Sequence, residues 1–236
     1  MSLEPVAYAD RGTALTGWLA RPAGPARAAL VLFPTIVNHS PASERRAAML
    51  AAEGFVVLVA DYYGAAVDSA ETAGALSAAL KADVDHFRAR LFAAVDALRA
   101  HPAAAGLPLA AVGYCQGGQA VLELARAGAD LAFVASFHGL LSTGRRASPA
   151  APHKPRVLVC HGDADPMAPR GEVLALWEEF DAAGLNWHFH SYAGVRHGFT
   201  DPANARSTRP AIAYDASADR QSWAALLGFA AEVLQT

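Results

Sequence analysis

The pentapeptide Gly113-Tyr114-Cys115-Gln116-Gly117 places the strictest limit on how this chain can fold. It follows an apolar run at residues 109–112 that predicts a short buried strand, and it opens an Ala- and Leu-rich segment at residues 116–127 that predicts a helix. A cysteine between glycines at a strand-to-helix junction is the thiol counterpart of the Gly-x-Ser-x-Gly turn, in which small neighbours let a strained residue raise its side chain at the end of a sheet. The segment therefore predicts a sharp turn that presents a nucleophile.

The rest of the chain alternates predicted strands and helices. Apolar runs predict further strands at residues 15–21, 29–33, 55–60, 131–136, 156–161 and 186–192. Helical periodicity and capping residues predict helices at residues 43–53, 83–100, 172–182 and 217–234, with long loops at 61–74 and 139–155. This order favours an α/β protein built on an open, doubly wound, mostly parallel sheet of about seven or eight strands, with helices on both faces.

Composition narrows the functional classes. A length of 236 residues with 53% apolar composition is enough for one core, so we expect a single domain over residues 1–236. The net charge is −3 and the basic residues are scattered, which argues against a nucleic-acid partner. No segment reaches the roughly 18 apolar residues needed to span a bilayer. We expect a cytoplasmic protein without a membrane partner, in keeping with its two cysteines.

A cysteine nucleophile needs a base within hydrogen-bond reach and an acid that orients the base. In proteins with this kind of turn, the acid and then the histidine follow the nucleophile along the chain, each on a loop after a strand. The strand at residues 156–161 runs into a loop with two carboxylates, Asp163 and Asp165. We predict that Asp165 is the acid because it lies further out on the loop, whereas Asp163 is close enough to the strand end to brace the turn. The glycine-bounded loop after the last strand predicts His197 as the base.

The second cysteine, Cys160, lies inside an apolar strand and is expected to be inert. If the strand at residues 131–136 lies between the strands of the two cysteines, their backbones are about 10 Å apart. A disulfide bridges no more than about 7 Å between Cα atoms. We therefore expect both Cys115 and Cys160 to be reduced.

Three motifs together resemble the dienelactone hydrolase family of α/β-hydrolases: Gly113-Tyr114-Cys115-Gln116-Gly117-Gly118, His161-Gly162-Asp163-Ala164-Asp165-Pro166 and Arg196-His197-Gly198-Phe199. The resemblance extends from about Leu15 to Leu234. It implies an α/β-hydrolase fold and a Cys115-His197-Asp165 triad that opens esters or lactones with no metal or organic cofactor. It also implies an oxyanion hole made by the backbone N–H groups of Gln116 and Ile36.

The chain departs from the family pattern in ways that bear on the substrate. Dienelactone-cleaving members resemble one another in having a glutamate where this chain has Thr35, so His197 alone is expected to activate the thiol. They also clamp a substrate carboxylate with arginines, and the corresponding places here read Gly64-Ala65 and Asp201. We therefore expect a neutral ester or lactone as the small-molecule substrate, rather than an anionic dienelactone.

Five further residues are candidates for the substrate pocket: Thr35, His39, Tyr63, His138 and Phe199. Four of them have a simpler alternative role, which is solvation for His39, a structural hydrogen bond for His138, and plain packing for Tyr63 and Phe199. Residues near Asp165 do not match a known metal-ligand spacing, so no metal site is predicted.

The predicted reaction is acyl transfer in two steps through a thioester on Cys115, followed by hydrolysis. Three alternatives stay open at this point. The first is a promiscuous hydrolase of other neutral esters such as phosphotriesters. The second is a thiol sensor that does not turn over, and the third is a binder of small molecules on the same fold. The expected assembly is a monomer or a homodimer.

Overall fold

Strands and helices alternate along the chain as the sequence predicts. The structure is a computed structural model that describes residues 3–235. Its strands are β1 (Glu4–Asp10), β2 (Thr13–Ala20), β3 (Ala28–Phe33), β4 (Phe55–Val59), β5 (Leu109–Tyr114), β6 (Phe133–Phe137), β7 (Arg156–Gly162) and β8 (Trp187–Tyr192). The predicted fold class is confirmed, because these elements form an eight-stranded, mostly parallel sheet with helices.

The helices complete the α/β pattern. They are α1 (Pro41–Ala52), α2 (Ala70–Lys81), α3 (Val84–Ala100), α4 (Gln116–Arg126), α5 (Arg170–Ala183) and α6 (Ala216–Leu234), with short 3₁₀ turns at Pro102–Ala104 and Pro202–Arg206. Within residues 3–235, no helix combines the length and the apolar character needed to cross a bilayer.

Contacts divide the chain into two compact units, and the boundary falls inside β5, between Ala111 and Val112. In the first unit the strand order is β1-β2-β4-β3. The pairs β1/β2 and β2/β4 are antiparallel, and β3 pairs with β4 in parallel. A single domain over the whole chain stays a prediction.

The second unit supplies the strand ends that matter for the predicted chemistry. Its order is β5-β6-β7-β8, and β7 runs parallel to both β6 and β8. The carboxyl ends of parallel strands meet at one edge of a sheet. The segments that follow these four strands contain Cys115, His138, Asp165 and His197 in turn. The strand β6 lies between those of Cys115 and Cys160, as expected, and both cysteines are free thiols.

Three local predictions were wrong or incomplete. The strand β1 was not predicted, and the predicted loop at 61–74 contains the start of α2. The cap of α1 is Ser40, whose side chain accepts from the backbone of Ser43, and the helix itself begins at Pro41. Proline suits the first helical turn because its missing N–H has no partner to lose there.

A buried ion cluster holds the long loop at 139–155 in the second unit. Arg126 contacts Glu179 through a 2.8 Å hydrogen bond and Glu123 through one of 3.0 Å, and all three side chains are at least 95% buried. The guanidinium also donates to the carbonyl of Leu141 at 2.7 Å, and the Glu179 carboxylate accepts from the backbone of Ala147 at 2.8 Å. The cluster therefore links α4 and α5 to two points of the 139–155 loop, the carbonyl of Leu141 and the backbone N–H of Ala147.

Replacing Arg126 with methionine is expected to lower the free energy of unfolding by about 3–5 kcal/mol, because two carboxylates then stay buried without their cation. Urea denaturation followed by circular dichroism measures the change. The matched control is Arg170→Met, which removes an arginine with an 80% exposed side chain from its pair with Asp163 and is expected to change stability little. Equal midpoints for the Arg126 variant and the unmodified protein would contradict a stabilising role for the cluster.

Candidate active site

Cys115 occupies a strained turn between β5 and α4. Its backbone has φ 57° and ψ −116°, a left-handed conformation that is costly for a residue with a side chain. Its N–H donates to the carbonyl of Phe137 at 3.0 Å. The turn is so tight that a Cβ added to Gly113 would lie 1.8 Å from the carbonyl oxygen of Gly117. The glycine at 113 is therefore required for the close approach that lifts Cys115.

The electrostatic setting of Cys115 differs from that of Cys160. Cys115 is half-buried and caps the N-terminus of α4, a buried helix whose dipole favours negative charge at that end. Gln116 is the first residue of this helix, so its N–H lies at the same terminus. Cys160 is fully buried, and burial raises the pKa of its thiol to about 12. Only Cys115 has surroundings suited to a thiolate.

Asp165 is held in place by hydrogen bonds to both of its carboxylate oxygens. One oxygen, Oδ2, lies 2.7 Å from Nδ1 of His197, and the other accepts from the backbone N–H of Met167 at 2.8 Å. The side chain is fully buried. A carboxylate fixed in this way can orient an imidazole and stabilise its charged form.

Asp163 has a different partner. Its carboxylate accepts two hydrogen bonds from Arg170, at 2.8 and 2.6 Å, on the surface of the second unit. The hydrogen bonds from Arg170 hold its pKa below the ordinary value. The structure thus brings Asp165, and not Asp163, into contact with His197.

His197 is buried beside Asp165 and Cys115. Burial is the largest single influence on its pKa and acts to lower it, but the hydrogen bond to Asp165 and the interactions with Cys115 outweigh burial and raise the pKa to about 10. The other ring nitrogen, Nε2, is buried and meets the geometric criteria for a hydrogen bond with no partner among residues 3–235. Because the pKa lies above the ordinary value of about 6.5, the charged ring stabilises the fold. That stabilisation is complete below about pH 6.5 and is lost as the pH rises through about 10.

His138 and Phe199 lie beside His197, inside the second unit. His138 is 2% exposed, with its ring centroid 5.1 Å from that of His197 and 5.3 Å from that of Phe199. Its Nδ1 accepts from the N–H of Cys115 at 3.1 Å, and its Nε2 lies 2.9 Å from the hydroxyl of Thr200. The role as pocket wall stays a prediction for both residues. Thr200 was not predicted as a site residue. The only sequence signal for it is its position in the loop that follows His197.

His161, at the end of β7, is a second buried imidazole in this unit. Burial is the main cause that lowers its pKa, against the opposing charges of Asp165 and Asp163. Neither ring nitrogen has a hydrogen-bond partner within the described residues. His161 is therefore a neutral neighbour of the Asp165 loop.

The other predicted site residues lie in the first unit, around the loop after β3. Thr35 and Ile36 are half-buried, and the hydroxyl of Tyr63 donates to the carbonyl of Ile36 at 3.2 Å. His39 stacks on Trp18 at 4.9 Å between ring centroids and lies 3.2 Å from Glu44. Contacts between these residues and substrate stay predictions, as does the N–H of Ile36 as an oxyanion donor.

An open cleft of about 390 Å³ also lies in the first unit. The residues that line it are Ala14, Thr16, Trp18, Asn38, His39, Asp61, Gly64, Ala65 and Ala66. Asp61 braces the cleft, because its carboxylate accepts from the side chain of Asn38 and from the backbone of Thr16, Tyr63 and Gly64. The polar start of the predicted 61–74 loop is thereby fixed in place.

Comparisons with known proteins point to one family. The sequence profile of the dienelactone hydrolase family matches residues 15–234. An uncharacterized protein of Caenorhabditis elegans, K02A2.1, is 36% identical over 144 residues, which cover 61% of this chain and 91% of that protein.

Two solved structures extend the comparison to the fold. The crystal structure of P91, a dienelactone hydrolase-like promiscuous phosphotriesterase from metagenomic libraries, is similar with a TM-score of 0.90 and 33% identity, over 98% of both chains. Esterase 2 of Thermogutta terrifontis, phosphorylated by paraoxon, has a TM-score of 0.72 and 18% identity over 98% of this chain and 94% of its own. The second likeness concerns the fold alone.

Proposed function

Because the chain belongs to the dienelactone hydrolase family and is an ester hydrolase, we propose that it cleaves a neutral carboxylic ester or lactone with a triad of Cys115, His197 and Asp165. The observation that carries this proposal is the 2.7 Å contact between His197 and Asp165, with the imidazole beside a half-buried cysteine on a strained turn. Nucleophile, base and acid occur in the order expected of this fold.

The first step uses a thiolate that exists before substrate binds. With a pKa raised to about 10, His197 keeps its proton at neutral pH, and the proton comes from the thiol of Cys115. The sulfur attacks the ester carbonyl and forms a C–S bond. The oxyanion accepts from the N–H of Gln116 at the start of α4, and the N–H of Ile36 stays a sequence-based prediction for the second donor. Collapse breaks the C–O bond, and His197 gives its proton to the leaving alkoxide.

The second step hydrolyses the thioester. Neutral His197 takes a proton from water, the hydroxide oxygen attacks the acyl carbon, and the C–S bond breaks to release the acid. Cys115 leaves as a thiolate and His197 keeps the proton, so the resting ion pair is restored. Asp165 stays ionised throughout and holds Nδ1–H in place. We expect deacylation to limit turnover, with a burst of alcohol release before the steady state.

The preference for a neutral substrate follows from the residue that replaces the anion-clamping arginine after the catalytic histidine. That residue is Asp201, whose carboxylate accepts from the N–H of Ala203 at 3.0 Å and caps the 3₁₀ turn. A carboxylate in this place repels an anionic acyl group, where an arginine would hold it with a bidentate contact.

A second candidate reaction is the hydrolysis of neutral phosphotriesters. Its support is the likeness to P91, which is a promiscuous phosphotriesterase with 33% identity over 98% of this chain. The same thiolate would attack phosphorus and form a phosphorylated Cys115, with the leaving alcohol protonated by His197. Mass spectrometry after exposure to a chromogenic phosphotriester tests it, because the proposal requires phosphorylation of this residue.

The proposed ion pair is tested by alkylation with iodoacetamide. We expect one equivalent to modify Cys115 and to abolish hydrolysis of a short-chain chromogenic ester in parallel. The rate of alkylation should rise less between pH 7 and 8 than that of an ordinary thiol, because the protonated ring of His197, whose pKa is raised, stabilises the thiolate. An ordinary thiol with a pKa of about 8.5 gains about eightfold over that interval.

The controls separate the competing explanations. Cys160 is fully buried and stays unmodified in the folded protein, and His197→Asn should react more slowly at pH 7 because it lacks the imidazolium. Rapid alkylation of Cys115, together with no hydrolysis of the ester by the untreated protein, supports a thiol sensor instead. No reaction and no hydrolysis supports a binding protein.

A further inference from the structure

His138 lies directly behind the nucleophile in a conformation that needs an explanation. It follows β6 with φ 38°, a left-handed backbone that is uncommon for a residue with a side chain. The ring is 98% buried and contacts the backbone of Cys115 on one side and the side chain of Thr200 on the other. The proposed reaction does not use this residue.

The two contacts fix which ring nitrogen carries the proton. The N–H of Cys115 is shared between the carbonyl of Phe137 at 3.0 Å and Nδ1 of His138 at 3.1 Å. Because an N–H can only donate, Nδ1 of His138 is an acceptor and carries no hydrogen. A neutral ring then has its proton on Nε2, which donates to the hydroxyl oxygen of Thr200 at 2.9 Å. The hydrogen bonds therefore run in one direction, from Cys115 through His138 to Thr200.

The far end of this chain of hydrogen bonds is the loop that carries the base. Thr200 and His197 belong to the same loop, and Thr200 is 97% buried. The ring of His138 also meets that of His197 edge to face, at 5.1 Å between centroids. His138 therefore contacts the nucleophile's backbone, the base's ring and the base's loop.

We propose that His138 is a positioning residue that, with Thr200, sets the separation between the sulfur of Cys115 and Nε2 of His197. This inference rests on the proposed triad. The strained turn and the His197 loop arise from different strands, and the hydrogen-bonded ring of His138 connects them directly. Small errors in the placement of reacting groups lower the rate of chemistry strongly and affect substrate binding little.

Substitutions at Thr200 give the sharpest test, because they remove the link without touching the reacting atoms. Thr200→Val has nearly the same shape but no acceptor for Nε2–H. We expect it to lower kcat for ester hydrolysis about 10- to 100-fold with a change in KM below about threefold. Thr200→Ser restores the hydroxyl and should recover most of kcat. Equal kcat values for the valine variant and the unmodified protein would overturn the inference.

A spectroscopic measurement tests the direction of the hydrogen bonds without any assay of activity. Nitrogen-15 NMR of the histidine side chains should show His138 as a neutral ring protonated at Nε2, with a changed Nε2–H signal in Thr200→Val. A ring protonated at Nδ1 would overturn the inference even if the proposed triad is correct. Conversely, hydrolysis that survives Cys115→Ala defeats the proposed triad and leaves this measurement interpretable.

The matched control is Tyr192→Phe. Tyr192 packs against the same Phe199 at 5.6 Å, and its hydroxyl contacts only the sulfur of Cys160 among the hydrogen bonds found for it, at 3.9 Å. The substitution removes a hydroxyl group close to the loop, keeps the ring that packs on Phe199, and leaves the link from Cys115 to Thr200 intact. We expect unchanged kcat in this variant. A loss as large as that of Thr200→Val would show that removing a nearby hydroxyl outside the link has the same effect, and would contradict the positioning role.

Discussion

Cys115→Ala is expected to lower kcat/KM for ester hydrolysis by about four orders of magnitude or more, because the variant has no atom that can form the covalent intermediate. The residual rate reflects binding and the oxyanion hole alone. Stopped-flow assays with a chromogenic ester measure both the burst and the steady state, and the burst should vanish. The fold should remain, because alanine keeps the Cβ atom and only the sulfur of a half-buried side chain is lost.

The matched control is Cys160→Ala, which removes the same atoms from the strand β7. Cys160 is fully buried, and burial raises the pKa of its thiol to about 12, so it has no thiolate at neutral pH. We expect full activity and a modest loss of stability from the small cavity. Activity that is lost in Cys160→Ala, or that survives in Cys115→Ala, would contradict the proposed nucleophile.

Asp165→Asn is expected to lower kcat by about 10³- to 10⁴-fold. The amide oxygen can still accept from the N–H of Met167, which leaves the NH₂ group facing Nδ1 of His197. Two donors then face each other, so the imidazole turns or changes tautomer and no longer forms the ion pair. The pH dependence of iodoacetamide alkylation should shift toward that of an ordinary thiol in the same variant.

The neighbouring carboxylate provides the control on the same loop. Asp163→Asn loses hydrogen bonds to Arg170 at the surface and is expected to keep nearly all activity. The pair of variants decides between two residues that the sequence alone left as alternatives. A large loss in Asp163→Asn with little effect in Asp165→Asn would reverse their proposed roles.

The buried strands of the sheet were predictable because each has a continuous apolar run. Residues of β3, β4 and β5 are all buried, which is the pattern expected where helices cover parallel strands. The helix α3 was predictable from its apolar stripe. The pentapeptide at Cys115 was equally informative, since only a sharp turn explains glycines on both sides of a residue between a strand and a helix.

Two elements escaped prediction because their local signals are weak. The strand β1 has a proline at its second position and no fully buried residue, so it depends on pairing with β2. The helix α2 has Gly74 in its interior, which is typical of loops. Its start was nevertheless marked by Ser69, whose side chain accepts from the backbone of Thr72 at 3.0 Å.

The sequence by itself determined the α/β class, the ester-hydrolase family and the order in which the proposed nucleophile, acid and base occur along the chain. These follow from local patterns, because apolar runs, glycines and loops are properties of adjacent residues. Only the tertiary structure decided that Asp165 contacts His197 while Asp163 pairs with Arg170. It alone revealed the link from Cys115 through His138 to Thr200. Such hydrogen bonds join residues from different strand ends, and their distances depend on how the strands pair in the sheet.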